Sequence, residues 1–75
     1  MKYSEKLKML RNKTGLTQKE FAVKIGLSEK TINNYENGYR KIPISLIGNI
    51  VKMFGITADY FFDEHKTLEN KIVVK

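Results

Sequence analysis

Apolar residues along the chain recur at helical spacing and are broken by glycines. Tyr3, Leu7 and Leu10 mark one face of a first helix between Ser4, read as its N-cap, and Gly15, read as its stop. Thr17-Gln18-Lys19-Glu20 has the form of a capping box, which starts a second helix with Phe21, Ala22 and Ile25 inward. Gly26 stops it after about two turns. Ser28 then caps a third helix, with Glu29 favourably placed in its first turn. That helix turns Ile32 and Tyr35 inward and ends at Asn37-Gly38. Pro43 sets the backbone for a fourth helix with Leu46, Ile47, Ile50, Val51 and Phe54 on its apolar face, and Gly55 stops it. Thr57 is read as the cap of a short fifth helix carrying Tyr60, Phe61 and Phe62. Strand-type alternation is absent until Ile72-Val73-Val74, which is too short to define a sheet. The expected fold is all-α: a five-helix domain over residues 1–63 and a tail over 64–75 that either stays a short extension or forms a short strand.

Charge sharpens this picture. Residues 1–30 hold eight Lys or Arg against three Glu, residues 31–52 three against one, and residues 53–75 three against four acids. The net charge of +6 therefore belongs to the first two-thirds. It suits either a polyanion-facing surface or a solvated, solubilising lysine face. A chain of 75 residues buries only about 60% of its unfolded surface, which argues against an enclosed substrate cavity. Cysteine is absent, so disulfides, cysteine-based zinc sites and thiol catalysis are excluded together, and a reducing compartment fits. With no apolar run of membrane-span length and no signal-peptide core at the N-terminus, a cytosolic location without membrane attachment is expected. Asn12-Lys13-Thr14 matches a glycosylation sequon that such a location leaves unused. His65 has no second ligand at metal spacing, and Asp59, Asp63 and Glu64 lack a nucleophile or polar pocket. Neither a metal, a cofactor nor an enzymatic activity is expected.

Two short helices joined by a glycine turn, the second with a polar outer face, form a helix-turn-helix. The string Thr17-Gln18-x-x-Phe21-Ala22-x-x-Ile25-Gly26-x-Ser28-x-x-Thr31-Ile32-x-x-Tyr35-Glu36-Asn37-Gly38 resembles the phage-repressor helix-turn-helix family, the lambda and 434 repressor and Cro type, also called the xenobiotic-response-element family. The resemblance spans roughly residues 4–63. Arg40-Lys41-Ile42-Pro43-Ile44 and Phe54-Gly55-Ile56-Thr57-x-Asp59-Tyr60-Phe61 extend it toward Firmicute phage and mobile-element regulators.

The resemblance implies a homodimeric, sequence-specific regulator of double-stranded DNA, a repressor on a palindromic operator. It puts Glu29, Lys30 and Asn34 at base-reading positions and Ser28 beside a phosphate or base edge. Thr17 and Gln18, at the start of the second helix, would meet phosphate, as would Asn37, Tyr39, Arg40 and Lys41 after the third. Asn33 reads as a further contact or, in preference, as solvated. Arg11 and Glu36 match positions that pair to tie helix one to the end of helix three. Ala22 and Gly26 are small where helices approach closely. The surplus of apolar area in Phe54, Ile56, Tyr60, Phe61 and Phe62, with Gly48 allowing close approach and Ile72, Val73 and Val74 able to pair, points to a dimer interface, the alternative being that the aromatics simply close the core of the single chain. The alternative is a protein-interaction module, an antitoxin or antirepressor, whose acidic, aromatic end meets a regulatory protein partner.

Overall fold

A computed structural model describes residues 3–62. Five helices follow one another: α1 (Tyr3–Thr14), α2 (Gln18–Ile25), α3 (Glu29–Glu36), α4 (Ile44–Phe54) and α5 (Asp59–Phe62), with no strand among the described residues. Helix α2 packs chiefly on α3, and α1 packs on both α3 and α5. The tail 64–75, its candidate strand Ile72-Val73-Val74, and Asp63, Glu64 and His65 lie outside the described residues.

The local signals act as their chemistry requires. Thr17 Oγ1 accepts from the Glu20 N–H at 3.1 Å, and the Glu20 carboxylate accepts from the Thr17 N–H at 2.9 Å, which closes the capping box. These bonds favour the ionised carboxylate and hold Glu20 below its usual pKa. Gly26 ends α2 at φ 79°, and the following Leu27 N–H returns to the Ala22 carbonyl at 2.8 Å. Ser28 Oγ accepts from the Thr31 N–H at 3.2 Å and so caps α3. The turn between the two helices is therefore held by the Ser28 cap and one left-handed glycine.

Two expected starts shift. Helix α1 already includes Tyr3, so Ser4 lies in its first turn and is not its cap. Helix α5 begins at Asp59, two residues beyond Thr57, and its first turn is closed by the Thr57 and Ala58 carbonyls. At α5 backbone bonding at the helix end competes with the side-chain cap, and boundaries commonly move by a residue or two.

Leu7, Leu10, Phe21, Ala22, Ile32, Ile47, Ile50 and Phe54 form the core, where the Phe21 and Phe54 rings stack at 5.2 Å. Tyr60 and Phe61 are buried there too, with ring centroids 5.1 Å apart in a T-shaped pair. This corrects the expected dimer interface at three positions: Phe54, Tyr60 and Phe61 fill the core of the single chain instead of a shared face. The fold is too small to leave such rings outside when α1 and α5 can enclose them. Tyr3, expected inward, is 39% exposed and meets the 51%-exposed Phe62 edge to face at 5.8 Å. Gly48 is exposed, and a Cβ added there would meet nothing within 4 Å.

Lys6, which the apolar pattern leaves out, is fully buried. Its ammonium donates to the Tyr60 carbonyl and lies 4.9 Å from the Tyr60 ring centroid. The Tyr60 hydroxyl returns a bond to the Lys6 carbonyl at 2.6 Å. Burial pushes the Tyr60 pKa up to about 12, because the phenolate would be poorly solvated there. The signal was present: Lys6 belongs to the same stripe as Tyr3, Leu7 and Leu10, one turn from each end.

Candidate nucleic-acid interface

Helix α3 is amphipathic. Ile32 and Tyr35 anchor it to the core, which leaves Ser28, Glu29, Lys30 and Asn33 exposed and Asn34 half-buried. At 3.6 residues per turn, Lys30, Asn33 and Asn34 share one side of the helix and Glu29 lies beside them. The hydroxyl of Ser28 is already engaged, since it caps the helix and bonds the Thr31 hydroxyl at 2.8 Å.

Polar groups flank this surface at both ends. On one side stands the start of α2, where Thr17 is exposed in its capping box and Gln18 is half-buried. On the other, Gly38 at φ 76° lets the chain reverse after α3, and the Tyr39 and Arg40 N–H groups both return to the Asn34 carbonyl, at 2.9 and 3.3 Å. Those bonds project Tyr39, Arg40 and Lys41 outward, Tyr39 being 77% exposed. The Arg40 guanidinium carbon lies 5.9 Å from the centroid of the Tyr35 ring, a cation-π contact that sequence reading missed.

A polar network ties the elements together. The Arg11 Nε donates to Glu36 at 2.7 Å and its second guanidinium arm at 3.1 Å, a two-point contact that binds α1 to the end of α3. Arg11 also donates to the Leu16 carbonyl at 2.9 Å. Glu36 accepts a further bond from Gln18 Nε2 at 3.1 Å. Gln18 Oε1 in turn accepts from the Asn33 amide at 3.3 Å, and the Asn37 amide donates to Asn33 Oδ1 at 3.1 Å and to the Asn33 carbonyl at 2.9 Å. Asn33 is thus exposed and yet bonded to both α2 and the end of α3.

Such an arrangement can present a polar helix to base edges while its flanks hold phosphates. Among the described residues no His, Cys, Asp and Glu cluster has metal-binding geometry, and no helix is long and apolar enough to cross a membrane.

Comparison with known proteins agrees with the geometry. The helix-turn-helix family profile matches residues 7–61. The chain is 32% identical over 60 residues to the HTH-type transcriptional regulator ImmR of Bacillus subtilis, covering 80% of this chain and 47% of that protein. It is 36% identical over 62 residues to Antitoxin PezA of Streptococcus pneumoniae, covering 83% of this chain and 39% of that one. It is also 39% identical over 51 residues to the propionyl-CoA carboxylase regulator of Cereibacter sphaeroides, covering 68% of this chain and 11% of that one. The chain thus spans about half of the length of ImmR and smaller shares of the other two. No solved structure matches. The capped α2–α3 pair, the polar outer face of α3 and the family match over residues 7–61 together identify the chain as a member of the Cro/C1-type helix-turn-helix family of DNA-binding transcriptional regulators.

Proposed function

We propose that the protein is a repressor that binds a palindromic operator as a homodimer, with α3 of each protomer in the major groove. The observation that carries this reading is the exposed side of α3 between two donor-rich flanks. Lys30 suits guanine O6 and N7, Asn34 suits adenine, and Glu29 can accept from cytosine N4. Gln18, Tyr39, Arg40 and Lys41 hold phosphates on either side, aided by the N-terminal ends of α2 and α3. One domain of this size reads too few bases to select a site in a genome, so a two-fold copy that doubles the readout is required. The dimer face then includes Phe62, Ile56 and Gly48 together with the tail residues Ile72, Val73 and Val74. A cytoplasmic location follows from this role.

The test is binding to an inverted repeat overlapping a promoter near the gene. Lys30→Ala or Asn34→Ala should each cost about 1 to 3 kcal/mol on that site and much less on random DNA. Equal losses on both would make the residue a backbone contact.

A second reading, an antitoxin that meets a protein partner, is favoured by the similarity to Antitoxin PezA. The acidic, aromatic end of the domain is its candidate surface, with Phe62 as the exposed ring. A chain that ignores both inverted repeats and random duplex at low salt would favour this reading over the first.

A further inference from the structure

We infer that Asn33 is a positioning residue: it sets the Gln18 amide for a DNA phosphate by linking the start of α2 to the turn that ends α3. The inference rests on the DNA-binding reading above, and its starting point is the direction of the hydrogen bonds. A side-chain amide can turn either its oxygen or its NH2 toward a neighbour, whereas a carboxylate only accepts. Glu36, held by Arg11 and with its side chain 2% exposed, therefore requires Gln18 to present its NH2, as the 3.1 Å bond shows. The Gln18 oxygen is then turned to Asn33, which must donate, and it does so at 3.3 Å. The Asn33 oxygen is left to accept from Asn37, at 3.1 Å. One buried charge thus orients three amides in series, and each bond in such a chain polarises the next.

The consequence falls on Gln18. One of its N–H groups is occupied by Glu36, its oxygen is occupied by Asn33, and its second N–H is the group left to donate to a phosphate. Without Asn33 the amide keeps a single anchor and must be ordered when DNA arrives, which weakens binding. Asn33 itself needs no contact with the duplex. Asn33→Ala is a mild change for the fold, since the residue is exposed and alanine is the better helix former.

The experiment measures affinity of the full chain for a mixed-sequence duplex at fixed low salt, in the unaltered protein, Asn33→Ala, Gln18→Ala and the double variant. Loss of one net hydrogen bond predicts about a fivefold weakening for Asn33→Ala. In the Gln18→Ala background the same change should do nothing, because Asn33 acts through Gln18. Nuclear magnetic resonance of the DNA-free chain supplies a readout independent of binding: the Gln18 side-chain amide should be ordered in the unaltered protein and more mobile in Asn33→Ala. Additive losses in the double variant, no loss in Asn33→Ala, or an unchanged Gln18 amide would each overturn the inference while leaving DNA binding standing. Failure of the unaltered chain to bind duplex DNA would instead overturn the DNA-binding reading, and this inference with it.

Discussion

The Arg11 and Glu36 side chains meet where little water reaches, at 13% and 2% exposure, so neither is a decorative surface charge. Arg11→Met leaves the carboxylate of Glu36 with Gln18 as its one remaining partner among those described above. Removing one member of such a pair should destabilise the fold by about 3 kcal/mol, whereas Arg11→Met combined with Glu36→Met should recover much of that loss in a thermal melt. Tyr60 makes a different kind of prediction. Its folded pKa is about 12, above the ordinary value of 10.0, so between those limits the unfolded chain releases the proton and the folded chain keeps it. Stability is then complete below about pH 10 and falls as pH rises toward 12. Chemical denaturation across that window should show the decline, and Tyr60→Phe should flatten it. The same change removes the bond to the Lys6 carbonyl, at about 1 kcal/mol, which separates the pH slope from the baseline.

At the scale of elements, the α2–α3 unit depends on how tightly its turn is closed. Gly26 does not serve a close helix approach: a Cβ added there would touch nothing within 4 Å, so its left-handed backbone is the constraint and Gly26→Ala tests that alone. It should cost about 1 to 2 kcal/mol in denaturant midpoint at an unchanged slope. Thr17→Ala removes the cap that starts α2 and should cost about 1 kcal/mol by the same measurement. Thr17 and Gln18 are adjacent, so the altered cap should also weaken binding to duplex DNA irrespective of sequence. A variant that loses stability but keeps its affinity would separate the cap from the phosphate grip.

The whole molecule sets charge and assembly. A dimer in which Arg40, Lys41 and the positive ends of α2 and α3 neutralise on the order of six phosphates should show a slope of about −5 in log affinity against log salt. An affinity indifferent to salt would remove that electrostatic footprint. Sedimentation at tens of micromolar should give a dimer mass, and deletion of residues 66–75 should lower it if the tail contributes. The paired α3 helices should stand about 34 Å apart, the spacing of successive major grooves on one side of the duplex. Gly48→Ala offers an independent check. In a free helix it should stabilise the monomer by about 1 kcal/mol, but it should weaken the dimer if the partner's backbone approaches there.

Much of this molecule was legible in one dimension because its signals are local. The Thr17–Glu20 box needs residues three apart, Gly26 needs only its own backbone, and the α4 stripe from Leu46 to Phe54 follows from helical period. The motif from Thr17 to Gly38 identified the family for the same reason: a capped, glycine-hinged helix pair writes its geometry into consecutive residues. Position in three dimensions decided the rest. Whether Tyr60 and Phe61 face a partner or a core depends on where α5 docks against α1, a contact between residues more than fifty positions apart, and Phe54 is drawn into the core by the Phe21 ring of α2. Lys6 carried a polar label that hid its burial, because the carbonyl and ring that satisfy it come from Tyr60. Asn33 is exposed, as its place on the helix implies, but its bond to Gln18 could not be read in advance, since that partner lies on another helix, fifteen positions away. Periodicity states which way a residue points along its own helix, but the group it meets there is set by how the helices pack.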